Sequence, residues 1–179
     1  QLLFNACDMV VVGQFAGSDP LAAVGSTMAL TNLLIKAFLG LSVGVNVLAA
    51  HALGSGDREW LEKIVHTAVT LSLLCGLILA LVGVSLCRTC LVAMDTPPEV
   101  LDLAVLYMRI YFCGMPVVML YNFGAALLRA QGNTKQPLIY LSISGIVNVV
   151  LNLVLVIVFH LSVAGVAIAT IVSQALSAA

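Results

Sequence analysis

Asp8 stands in the run LLFNACDMVVVG, residues 2–13, where nearly every neighbour is apolar. A carboxylate in such a surround is costly unless it is paired, protonated or ligating a cation. Far along the chain, Ser144, Asn148 and Asn152 recur every four residues, and Thr170 follows in the next apolar run. On a helix the four-residue repeat makes one polar ridge. Carboxylate, amide and hydroxyl oxygens are the ligands a hard cation takes, and a desolvated carboxyl can instead hold a proton. The chemistry open to these residues is reversible binding of a hard cation or a proton, provided the chain brings them together.

The elements that must do so are membrane helices. Hydrophobic residues make up 62% of the chain and charged ones 8%, against about 25% charged in an ordinary soluble domain, and the mean hydropathy is +1.16. Formal charges are absent from 37–56, 64–87, 110–128 and from 136 to the end. Each gap accommodates the roughly 20 residues of a bilayer-crossing helix, and the last accommodates two. The expected fold is all-α, a polytopic membrane helix bundle with spans near 21–53, 60–87, 98–128, 137–159 and 162–179. The apolar residues before Gly13 are too few to cross hydrocarbon, so 1–13 reads as a truncated helix completing a six-helix unit. No basic region followed by a small-residue cleavage site marks a secretory signal.

Turn chemistry sets the expected boundaries. TPPE reads as a capping box with Thr96 as N-cap and Glu99 three residues on. LGSGD ends one helix on glycines and begins the next with Asp57 as cap, and QGNTKQP does the same before Pro137. Arg58 and Lys63 flank one turn and Arg129 and Lys135 another, while the opposite side carries Arg88. The positive-inside rule makes the first two turns cytoplasmic and the GQFAGSDPLA loop external, with Trp60 as an interfacial anchor. The net charge of −1 and the lack of a basic aromatic patch give no sign of nucleic acid.

Depth can then be assigned from a 1.5 Å rise. Asp8 falls ~8 Å below the outer boundary, Thr170 ~12 Å below it, and Asn152 ~22 Å above the inner face of a ~30 Å core. They share a layer. A single Asn, Ser or Thr in a membrane helix more often bonds a neighbouring helix than a substrate, whereas an intramembrane acid marks an ion or substrate path.

The runs DMVVVGQFAGSDPLAAVGS, GLSVGVNVLAAHALGSGD, YNFGAALLRAQGNTKQPL, NVVLNLVL and VAGVAIAT resemble, in order, the first six helices of the multidrug and toxic compound extrusion (MATE) transporters. The resemblance covers essentially the whole chain. It implies one six-helix lobe of a two-lobe (6+6) protein, with the C-terminal lobe absent. It also implies a bacterial, multi-pass cell-membrane antiporter that exports cationic or amphipathic drugs and toxic compounds in exchange for sodium ions or protons, by rocking of the lobes. Asp8 falls at the family's first-helix acid, Asn148 at its fifth-helix amide and Thr170 at its sixth-helix hydroxyl. Asn152 replaces a second carboxylate found in several members, which leaves Asp8 as the single acid of the set.

Asn32, Lys36, Tyr121, Asn122 and Ser144 are candidates for the cavity. For Lys36 the first reading is snorkelling toward the cytoplasmic headgroups, with a cavity role as the alternative. Arg109, between tyrosines, reads as an outer-interface anchor or a partner for Asp102. Pro116 is expected to bend its helix and to help a gate move, and GLSVG permits close helix contact. Cys7, Cys75 and Cys113 read as packing groups. Cys87 and Cys90 have CxxC spacing without the further ligands of a metal site, and no transition metal or cofactor is expected.

An intramembrane enzyme would need a nucleophile with a base, or a metal set, at one depth. No histidine shares the level of Asp8, so no enzyme is expected. The closer alternative is a flippase of a lipid-linked precursor, which would favour several cations around the cavity; Lys36 is the one candidate. The expected partners are small cationic or amphipathic molecules, the lipid bilayer and the missing lobe.

The orientation is testable. In a cysteine-free background, single cysteines at Ser55 and Asn133 should resist a membrane-impermeant thiol reagent in intact cells, while one at Ser18 should react. The reverse labelling pattern would invert the topology.

Overall fold

The computed structural model describes residues 2–178, and within them all side chains except those of residues 2–5 and 34. Its helices are α1 (Leu2–Phe15), α2 (Ser18–Ser55), α3 (Arg58–Ala93), α4 (Pro98–Cys113), α5 (Met115–Ala130), α6 (Lys135–Leu153), a π-helical turn (Val154–Val158) and α7 (Ser162–Ala178). Among the described residues, α2, α3 and α6 with its π turn are each long and apolar enough to cross a membrane, the bent pair α4–α5 makes a fourth span, and α7 is a shorter apolar helix.

Turn chemistry sets the α2–α3 hairpin. Gly56 takes a left-handed φ of 71° at the end of α2, a conformation that costs glycine nothing. Asp57 then accepts a hydrogen bond from the Trp60 backbone N–H at 2.9 Å. The ring of Trp60 meets His51 edge-on at 5.5 Å, which fixes the register of the two helices at that end.

α3 is amphipathic in the sense that matters in lipid. Ile64, Ala68, Ser72, Cys75, Gly76, Leu79, Gly83, Cys87 and Leu91 form its buried stripe, while Leu73, Leu74, Leu77, Ile78, Leu81 and Val82 point outward. A surface this apolar is a liability in water and is the expected one against acyl chains. On the buried side, small residues let backbones approach. A Cβ on Gly76 would overlap the Pro116 backbone, and one on Gly83 would overlap the Phe112 ring.

The expected GQFAGSDPLA loop is reduced to a short turn, because α1 continues to Phe15 and α2 begins at Ser18, and two further boundaries differ in kind from the sequence reading. TPPE does not form a capping box: α4 begins at Pro98, its N-cap is Pro97, and no side chain caps it. The cause is that a residue preceding proline is pushed out of the α region, and Pro97, at φ −54° and ψ 137°, is extended. Thr96 belongs to the end of α3, where its N–H bonds the Leu91 carbonyl at 3.1 Å after Asp95 turns at φ 54°. The expected single helix over 98–128 is broken at Gly114, and its halves meet at 49°. Pro116 sits in the first turn of α5, where its missing N–H leaves no intrahelical bond unmade. Gly114 has no room for a Cβ because the Ile171 side chain lies against it.

Close backbone approach at Gly76 yields a stability test. Gly76→Ala forces the α3–α5 contact apart and should destabilise the bundle by roughly 1–3 kcal/mol, read as a lower thermal midpoint in detergent. Gly54→Ala, with nothing within 4 Å of the added methyl, should be neutral or stabilising by up to about 1 kcal/mol. Equal midpoints for the two variants would refute the contact.

Candidate functional site

Three helices meet at Asp8, which is fully buried on α1 together with Asn148 and Asn152 on α6 and Thr170 on α7. Asn152 Nδ2 donates to Asp8 Oδ1 at 2.6 Å, and the Thr170 hydroxyl donates to Asp8 Oδ2 at 3.0 Å. Each carboxylate oxygen therefore has a donor from a different helix. Asn152 Nδ2 also reaches Asn148 Oδ1 at 3.2 Å, and Asn148 Nδ2 reaches Thr170 Oγ1 at 3.3 Å. The three residues placed at one depth by helix rise, together with Asn148 from the repeat on α6, are thus one hydrogen-bonded cluster.

Two details make the cluster adaptable. Asn152 Oδ1 is buried without a hydrogen-bond partner, an expense that buried acceptors rarely carry. It is an oxygen with free lone pairs beside a carboxylate. The Thr170 hydroxyl has one proton but two acceptors in range, Asp8 Oδ2 at 3.0 Å and the Val166 carbonyl at 3.0 Å. With the proton turned to Val166, the hydroxyl oxygen offers its lone pairs to whatever sits on Asp8.

Other candidates fall elsewhere. Ser144 is fully buried, and its hydroxyl donates to the Ser173 carbonyl at 2.5 Å, so it clamps α6 to α7. Asn122 is occupied with the Val118 carbonyl one turn back at 2.8 Å. Tyr121 donates to the Pro137 carbonyl at 3.0 Å and borders a cleft of about 490 Å³ with Pro137, Tyr140 and Ser177. Asn32 is half-buried and Lys36 exposed, both on α2. Asp102 pairs with Arg88 at 3.1 Å, not with Arg109. The tyrosines around Arg109 turn inward instead of anchoring at the interface: Tyr107 and Tyr111, one turn apart and both buried, stack at 6.0 Å. All five cysteines are free thiols.

Sequence reasoning missed the polar residues of α7 beyond Thr170. Ser173, Gln174 and Ser177 are all buried, and Gln174 Oε1 has no partner. The signal was present: with Thr170 they follow the three-to-four-residue repeat that marked the ridge on α6.

Comparison with known proteins agrees with this geometry. The chain is 34% identical over 169 residues to the probable multidrug resistance protein YoeA of Bacillus subtilis, covering 92% of this chain and 36% of that one. It is 30% identical over 179 residues to the probable multidrug resistance protein YpnP of the same organism, covering 99% and 40%. The crystal structure of MATE in the bent conformation is similar with a TM-score of 0.93 and 25% identity, over 98% of this chain and 39% of that one. The chain thus spans well under half the length of the relatives it matches. With the family model described as MatE matching residues 1–154, the chain belongs to the MatE family of membrane transporters.

Proposed function

We propose that this chain is the ion-coupling lobe of an antiporter that exports cationic or amphipathic compounds, and that Asp8, Asn148, Asn152 and Thr170 alternately hold and release a sodium ion or a proton. The reading rests on one observation: a carboxylate with no solvent exposure, held by one donor on each oxygen, beside an amide oxygen that has no partner. A bound cation or a proton on Asp8 supplies what that oxygen lacks. Rotation of the Asn152 amide directs Oδ1 toward the newcomer, and the Thr170 proton moves to the Val166 carbonyl. Asn148 exchanges its bond from the Asn152 Nδ2 during that rotation and keeps its own donation to the Thr170 hydroxyl. Charge neutralisation then lowers the cost of burying Asp8. That cost difference is how ion occupancy biases one lobe arrangement over the other.

The probable multidrug resistance proteins YoeA and YpnP, similar over nearly the whole of this chain, support compound export over the flippase alternative. The substrate path on this reading runs between this lobe and a second one, and the coupling ion is a transported species, not a resident cofactor.

The test is gradient-driven dye transport by the full-length protein in liposomes. Asp8→Asn keeps the shape of the side chain, gives the Asn152 oxygen a donor and removes the charge. Transport should fall to the leak rate of empty liposomes while insertion and the thermal midpoint stay near wild type. Asn148→Ala deletes one neutral oxygen and should slow transport by about tenfold or less. In the wild type a sodium site makes sodium alone accelerate dye movement at fixed pH, and a proton site makes a pH gradient suffice without sodium. Wild-type rates for Asp8→Asn under both gradients would make Asp8 a structural residue.

A further inference from the structure

Lys36 is the one basic residue whose position the coupling cluster and the helix ends do not explain. Asp8 is sealed within its own hydrogen bonds. It lies about 10 Å of helix from the α1–α2 turn, against about 27 Å for Lys36 on the other arm. The two cannot pair. Among the described residues the ion pairs are Lys63 with Glu59 and Arg88 with Asp102, so Lys36 has no carboxylate partner there, and it is exposed.

The register of the α2–α3 hairpin gives its depth. The His51–Trp60 contact puts Leu48 level with Lys63, and Leu48, Trp60 and Lys63 border one shallow groove. Lys63 marks the polar end of α3, because formal charges are absent from 64–87. About 18 Å of helix separates Leu48 from Lys36, and about 22 Å separates Lys36 from Leu21 at the other end of the apolar stretch. A lysine stem reaches roughly 6 Å. Measured from Leu48 or from Leu21 the stem covers about a third of the distance or less, so the ammonium stays short of both ends of the apolar stretch. Arg109 differs, since only about 10 Å of helix divides it from Asp102, which pairs with Arg88 at the end of the charge-free stretch of α3.

The face that carries Lys36 is also unlike a lipid-facing one. The packed stripe of α2 includes Val24, Thr27, Thr31, Ile35, Ser42 and Val45. At 100° per residue Lys36 points to the opposite side, together with Ala22, Gly25, Ala29 and Gly40, while Asn32 precedes it by one turn. Between Ser18 and Gly40 the one described side chain that is large, apolar and exposed is Leu33, whereas every exposed side chain of α3 from Leu73 to Val82 is Leu, Ile or Val. Small residues leave room beside the ammonium. A mid-depth cation on such a face needs water or an anion near it, because hydrocarbon solvates neither.

We propose that Lys36 is a specificity-determining residue that takes an anionic group, a carboxylate or phosphate, of the amphipathic compound being moved, so that among such compounds zwitterions bind better than their purely cationic analogues. The ammonium is a flexible point charge with three donors, suited to an anion carried on varied frameworks. Asp8 and Lys36 then have separate tasks at separate depths: the first handles the driving ion, the second selects cargo. This rests on the transport reading above.

The experiment compares two dyes on one xanthene frame in liposomes containing the full-length protein. Rhodamine 123 carries a methyl ester, and in rhodamine 110 that ester is a carboxylate. Lys36→Gln should raise the KM for rhodamine 110 by about tenfold or more and leave rhodamine 123 within about twofold. Lys36→Arg should restore rhodamine 110, and all variants should keep the wild-type elution profile and thermal midpoint. Equal changes for both dyes would assign Lys36 to architecture, an ion pair with the second lobe included. No change for either dye, or wild-type movement of rhodamine 123 with none of rhodamine 110, would equally overturn the proposal and leave the transport reading standing. A wild-type protein that moves neither dye would remove the transport reading and this inference with it.

Discussion

A carboxylate without solvent contact has to be satisfied by the protein, and this requirement organises one side of the bundle. Asp8 lies on a helix of 14 residues, so its two oxygens cannot both find donors on α1, whose own N–H groups are committed to the helix. The donors come from α6 and α7. Those two helices are brought to the right register by contacts that carry no charge: the Ser144 hydroxyl on the Ser173 carbonyl and Gly165, whose missing Cβ leaves room for the Leu155 side chain and backbone. A larger residue at 165 would separate α6 from α7 and leave Asp8 with one donor instead of two.

The other side of the bundle has no comparable polar centre and depends on close packing. Gly76 against Pro116, Gly83 against Phe112 and Gly114 against Ile171 bring backbones together where lipid supplies no hydrophobic drive between helices, so dispersion contacts must do the work. The break at Gly114 follows from the same economy of space. A helix bent by 49° there packs both halves against α3, Phe112 on Gly83 and Pro116 on Gly76, and keeps Tyr107 and Tyr111 buried. Asn46 adds one long-range polar tie, donating to the Ala126 carbonyl of α5 at 2.8 Å.

Much of this was legible because helix rise is constant. Counting residues from charge-free boundaries put Asp8, Asn152 and Thr170 in one layer, and Asn148 followed from the repeat on α6. What counting cannot give is azimuth and partner choice. Ser144 shares the ridge of Asn148 and Asn152, yet it turns to a backbone carbonyl, because α7 lies nearer to it than any open space. Arg88 outcompetes Arg109 for Asp102 because α3 and α4 converge at their shared end. The capping box failed for a local reason that was readable in advance: the second proline of TPPE forces the first out of helical geometry. For Lys36, counting residues yields a depth from one end of its helix, and the hairpin register is needed to measure it from the other.

The surroundings of Asp8 differ along the membrane normal. One turn toward the α1–α2 connection from Asp8, Asn152 and Thr170 stand Val12, Val156 and Val166, all buried, so three valines close the cluster on that side. The π-helical turn that contains Val156 leaves that part of α6 with fewer regular backbone bonds than the helix before it, and Phe15, Ala16, His160 and Ser162 border a small hollow just beyond. In the opposite direction the buried groups are polar: Asn148, Ser144, Ser173, Gln174 and Ser177, the last of them on the wall of the 490 Å³ cleft. Toward the cleft α7 offers an oxygen at each turn, with Gln174 Oε1 unengaged. The three valines on the other side offer only weak, non-directional contacts, so that side of the cluster is closed by packing without a hydrogen bond of its own.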